Sequence, residues 1–93
     1  MLDSMKDLQS SERLLKILAS QNRLHILLFL QKRKHATVNE IADEIGLKLQ
    51  GTSKHLRLLA LAGMVKTKKR GLFVTYRLSL PQVPLMKQVL QLL

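Results

Sequence analysis

The chain has 93 residues, room for one domain (1–93) with a small core, and no cysteine, which excludes disulfides, thiolate metal ligands and thiol redox sensing. Sixteen Lys and Arg against six Asp and Glu give a net charge of +10, a balance that favours an anionic partner, nucleic acid first. The charged start Asp3, Lys6, Asp7 does not read as a signal peptide, and no apolar stretch approaches the ~18 residues of a membrane span, so a soluble, cytoplasmic, nucleoid-associated protein with no membrane contact is expected.

A first helix is expected over about residues 6–18, where Leu8, Leu14, Leu15, Ile17 and Leu18 recur among charges at helical spacing. Gln21 to Lys32 is nearly apolar all round through Leu24, Ile26, Leu27, Leu28, Phe29 and Leu30, the pattern of a helix buried between others. The cations Lys32, Arg33 and Lys34 suit its negative end. Thr37-Val38-Asn39-Glu40 is a capping box that starts a third helix near Val38, with Ile41, Ala42 and Ile45 inward and Gly46 as its stop.

From Lys48 to Ala62 the steps Thr52, Leu56, Leu59 and Ala60 or Gly63 mark an inner face and leave Gln50, Ser53, Lys54 and Arg57 outward. Beyond Gly63 the chain turns to β-branched and aromatic residues on either side of Arg70-Gly71, a β-hairpin over about 64–78 with a basic tip. Pro81 and Pro84 fit the first turn of a last helix over about 81–93, striped by Val83, Met86, Val89, Leu90 and Leu93. The expected class is mainly α (α+β): about five helices and a two-stranded hairpin.

Charge is segregated along the chain. All six acids (Asp3, Asp7, Glu12, Glu40, Asp43, Glu44) lie in the first 44 residues, and the cations from Lys48 to Lys87 have no acid among them. Two helices joined by a glycine turn over 37–62, the second presenting short polar and basic side chains, match the width of a major groove, about 12 Å.

The segments "LASQNRLHILLFL", "TVNEIADEIGL", "TSKHLRLLALAGMV" and "GLFVTYRLS", spanning Leu18 to Ser79, resemble in their order the ArsR family of winged helix-turn-helix repressors. The resemblance implies five helices with a two-stranded wing, a homodimer formed by the first and last helices, and recognition of a palindromic operator in double-stranded DNA by the helix from about Lys48 to Ala62. The family's recognition residues fall on Lys48, Gln50, Thr52, Ser53, Lys54, His55 and Arg57.

Their chemistry agrees for most. Gln50 can make a two-pronged bond to adenine, Lys54 or Arg57 can pair with guanine or phosphate, and Ser53 can serve either, whereas Thr52 sits on the apolar step where packing is expected. Lys68, Lys69 and Arg70 at the hairpin tip would reach phosphates or the minor groove; Arg77, inside the second strand, can equally brace the structure. Lys48 stands where the family usually caps with serine and Gly51 sits in the first turn, both weakening the helix start. That glycine also permits close approach to DNA, and Leu49 can touch a thymine methyl. The dimer expectation rests on two apolar stripes, Leu14, Leu15 and Leu18 at one end and Val83, Met86, Val89 and Leu90 at the other, which can instead pack on their own chain.

Metal sensing is not expected. His35 to Asp43 holds no cysteine, and Leu80 to Leu93 holds no Asp, His or Glu. His25, His35 and His55 are never three or four apart, so no helix presents a pair to zinc. No cofactor and no catalytic residue is expected, since no nucleophile-base set or clustered carboxylates occur. Two other readings stay open: a sequence-indifferent architectural protein, and a winged-helix module that binds another protein.

Overall fold

The computed structural model describes residues 8–93, so the part of the first helix expected at residues 6 and 7 lies outside the described residues. Five helices and three short strands follow in the order α1 (Leu8–Leu18), α2 (Gln21–Arg33), β1 (Ala36–Thr37), α3 (Val38–Ile45), α4 (Leu49–Leu61), β2 (Val65–Arg70), β3 (Phe73–Leu78) and α5 (Pro84–Leu92).

Helix α2 is the centre of the core. Ile26, Leu27 and Leu30 are fully buried on it, and it packs on α1, α3, α4, α5 and β3. Ser20 caps its start, the Oγ accepting from the Arg23 amide at 3.3 Å. Leu56 and Leu59 of α4, Ile41 of α3, Met64, and Met86 and Leu90 of α5 close around the same core.

The sheet has three strands, in the order β1-β3-β2, all antiparallel. The expected hairpin is β2-β3, paired from Val65 with Leu78 to Arg70 with Phe73, and its tip is Gly71-Leu72 rather than Arg70-Gly71. Gly71 has φ +59, a left-handed conformation that glycine adopts without a steric penalty. The third strand, β1, pairs Ala36 with Tyr76 and Thr37 with Thr75. It ties the segment before α3 to the wing.

Thr37 is both the end of β1 and the cap of α3. Its Oγ1 accepts from the Glu40 amide at 3.2 Å, and the Glu40 carboxylate accepts from the Thr37 amide at 2.9 Å. Gly46, at φ 72, closes α3 with its amide donating to the Ala42 carbonyl. At the far end the last helix starts later than expected. Pro84 occupies its first turn, while Pro81 lies in the segment before it.

Glu40 also bonds the Arg33 guanidinium at 2.7 Å, fastening the end of α2 to the start of α3. The Thr37 amide first, and then Arg33, hold its carboxyl below the ordinary 4.5. A carboxylate lowered in the folded state adds stability above its unfolded pKa and loses it as pH falls through the folded one. Glu40→Gln is therefore expected to lower the urea midpoint at pH 7, with the difference from wild type shrinking as pH falls below 4.5.

Candidate nucleic-acid interface

Helix α4 follows α3 after the short Gly46-Leu47-Lys48 turn. Its inner face is Thr52, Leu56 and Leu59, all buried. Opposite lie Gln50, Ser53, Lys54 and Arg57, exposed and one turn apart, with Lys48 and Leu49 exposed at its start. As expected from its residue type, Lys48 caps α4 without a side-chain bond.

Strand β2 of the wing packs on the same helix. Lys66, Lys68, Lys69 and Arg70 are all exposed on β2, and Leu72 at the turn is 96% exposed next to the exposed Phe73. Among the described residues three ion pairs form: Glu12 with Lys16, Glu44 with His25, and Glu40 with Arg33. None uses a cation of α4 or the wing. Among the described residues Glu12, Glu40 and Glu44 engage cations on α1 and α2, which leaves the cations of α4 and the wing available to an anion.

Several expected contacts need correction. Thr52 is 0% exposed, with its hydroxyl donating to the Lys48 carbonyl at 3.0 Å, so it serves the helix start and cannot touch DNA. His55 is half-buried, and its Nδ1 lies 3.0 Å from Nη1 of Arg23, so its ring faces inward toward α2. Leu18, Met86 and Leu90 belong to the chain's own core and are not available to a partner subunit. Leu14, Val83 and Val89 are partly buried against that core, and Leu15 stays 51% exposed.

Periodicity alone did not reveal two features. Arg23 stands in the first turn of a mostly apolar helix and reads as a surface residue, yet it bonds both α1 and α4. Leu14 and Ile17 of α1, with Leu58 and Leu61 of α4 and Ala62, line an open groove of about 530 Å³. Histidines 25 and 35 are exposed, and among the described residues no three His, Asp or Glu side chains form a cluster that can hold a metal. No helix among the described residues is long and apolar enough to cross a membrane.

Two helices about a glycine turn, followed by a β-hairpin, define a winged helix-turn-helix protein. The helix-turn-helix domain family matches residues 18–68. The arsenical resistance operon repressor of Escherichia coli K12 is 36% identical over 72 residues, 77% of this chain, and the chain spans 61% of that repressor's length. Reduced HlyU from Vibrio cholerae superposes with a TM-score of 0.81 at 28% identity, over 99% of this chain and 93% of that one. The homodimeric winged helix-turn-helix DNA-binding domain Mb0332 from Mycobacterium bovis superposes with a TM-score of 0.77 at 27% identity, over 96% of this chain and 79% of that one.

The chain belongs to the ArsR family of winged helix-turn-helix transcriptional regulators. That is a family of DNA-binding regulators and not an enzyme class.

Gly51 offers a direct check on the start of α4. A Cβ built there meets only Leu47 Cδ1, at 3.8 Å, which is ordinary contact. Gly51→Ala is expected to stabilise the fold by about 0.5–1 kcal/mol in urea titration, because alanine gives up less backbone entropy in a helix. A loss of DNA affinity in the same variant would assign this glycine to close approach of the duplex.

Proposed function

We propose that the protein is a homodimeric, sequence-specific DNA-binding repressor that reads a palindromic operator and uses no metal or other cofactor. The observation that carries this reading is the face of α4. Gln50, Ser53, Lys54 and Arg57 are exposed in a row, the cations free of acidic partners among the described residues, on a helix whose opposite side is packed into the core. Each subunit lays that face in a major groove, with half-sites about one helical turn, roughly 34 Å, apart. Lys68, Lys69 and Arg70 follow the adjacent backbone.

Fluorescence anisotropy with a duplex from upstream of the protein's own gene, beside a scrambled duplex at two salt concentrations, tests the reading. The expected outcome is a preference of ~10³-fold or more that survives the higher salt. The charge of +10 favours one other reading, an architectural protein that binds any duplex. Equal binding to both duplexes, lost with salt, would support it. Lys54→Ala and Arg57→Ala are expected to weaken operator binding by about 1–3 kcal/mol each at a base contact, whereas Lys68→Ala and Lys69→Ala weaken both duplexes alike and each reduce the salt slope by about one.

For the homodimer, the support is apolar surface that the subunit leaves uncovered: Leu15 on α1, and Leu92 and Leu93 at the end of α5. The elements are those expected to pair, although most of the side chains expected to meet a partner face inward. Leu15→Glu is expected to convert the dimer to monomer in sedimentation equilibrium at tens of micromolar. A wild-type monomer at that concentration defeats the dimer reading.

A further inference from the structure

Helix α1 ends with four carbonyls that have no partner within the helix, and all four are satisfied locally. The Leu15 carbonyl accepts from the Ala19 amide and that of Leu18 from the Ser20 amide. Those of Lys16 and Ile17 are taken by a single side chain, Arg23 of α2, through Nη2 at 3.3 Å and through Nε. The third nitrogen of that guanidinium, Nη1, reaches His55 Nδ1 at 3.0 Å. One planar group thus joins the end of α1, the start of α2 and the middle of α4.

The chemistry of the two groups fixes the direction of this bond. A guanidinium carries no acceptor, so it donates and the His55 Nδ1 must hold a lone pair. The ring is therefore neutral, with its proton on Nε2. His55 sits between Lys54 and Arg57 on the helix, one side turned inward to Arg23 while its neighbours face out. Lys48, at the helix start, provides no side-chain cap, and among the described residues the bond at position 55 is the side-chain hydrogen bond that joins α4 to the helices behind it.

We infer that Arg23 is the positioning residue of the DNA-reading helix: through His55 it fixes the rotation of α4 relative to α1, so that Gln50, Lys54 and Arg57 meet the groove in register. This rests on the DNA-binding reading proposed above. Recognition contacts need their side chains held to within about 10–20°, and a directional hydrogen bond adds to the non-directional apolar packing of the inner face in holding them there. Since α1 also carries part of the uncovered apolar surface, at Leu15, Arg23 connects the proposed dimer contact to the reading helix.

A proton on His55 Nδ1 breaks the tether and sets two cations against each other. Burial first, and then the charge of Arg23, push His55 below the ordinary 6.5. The charged and titratable groups on the elements packed around α4 are Arg23, His25, Lys32 and Arg33 on α2, Glu40, Asp43 and Glu44 on α3, and Lys66, Lys68, Lys69 and Arg70 on β2. Those of α1 are Glu12, Arg13 and Lys16, and α4 itself carries Lys54 and Arg57. Arg23 is the charge among them that moves the ring's titration.

The test uses the full chain with Arg23→Gln, His55→Phe and His55→Asn, the last of which offers an oxygen acceptor near Nδ1 and does not titrate. With the upstream duplex at neutral pH, Arg23→Gln and His55→Phe are expected to lose about tenfold in affinity and His55→Asn to retain it. As pH falls below 6.5 the wild type loses affinity as His55 gains its proton, and His55→Asn stays flat relative to it. Affinity that rises with the proton on His55 would place the ring on a phosphate and overturn the inference. So would equal affinity in all three variants.

Two readouts need no DNA and separate a failure here from a failure of the DNA reading. In NMR titration the His55 midpoint is expected to rise in Arg23→Gln. Amide exchange is expected to quicken in α4 and the last turn of α1 in Arg23→Gln and His55→Phe, but not in His55→Asn. An unmoved midpoint, or unchanged exchange in α4, overturns the positioning role whether or not a duplex is bound.

Discussion

Everything in this fold depends on the burial of one helix. A chain of 93 residues has material for a single small core, and α2 supplies its centre through Ile26, Leu27 and Leu30. Each of the other helices is held by the face it turns to α2. For α4 that face is Thr52, Leu56 and Leu59, and because the helix repeats every 3.6 residues, its opposite side must carry Gln50, Ser53, Lys54 and Arg57 outward. The surface offered to a partner is set by what the core takes.

Electrostatics follows the same division. The described acids occupy α1 and α3, where three of them meet Lys16, His25 and Arg33. These pairs are exposed, and each contributes little to stability. Their larger effect is spatial. Among the described residues negative charge is confined to α1 and α3 and none lies on α4 or β2, so the cations of α4 and β2 add to one another and the field there attracts polyanions.

Local chemistry was legible in the sequence; the identity of neighbours was not. The Thr37-Glu40 capping box and the Gly46 stop need only residues within one or two turns, and both occur as read. β1 escaped because two residues make no periodic pattern, and their partners Tyr76 and Thr75 are 40 and 38 positions away in the chain. Leu18, Met86 and Leu90 lie on apolar stripes, as their spacing implies, but spacing cannot say whether a stripe meets its own core or a second subunit. Arg23 and His55 are ordinary surface residue types in one dimension, and only folding places them 3.0 Å apart. Thr52 shows the reverse case: a recognition position by resemblance, but one whose place on the inner face already assigned it to packing.

The two ends of α4 have different chemistry, and this limits how it can meet DNA. After the exposed Leu49, its outer face is polar and basic as far as Arg57. Leu58 and Leu61, the latter 79% exposed, then wall the groove shared with Leu14 and Ile17 of α1. A major groove lined with hydrogen-bonding base edges and phosphates rewards polar side chains, and large apolar ones find a partner there only at thymine methyls. On the proposed reading the helix therefore enters by its N-terminal half, and its C-terminal half stays behind with α1. Arg23 meets α4 at His55, near the boundary between the two halves, where fixing one residue orients the polar half without burying any of it.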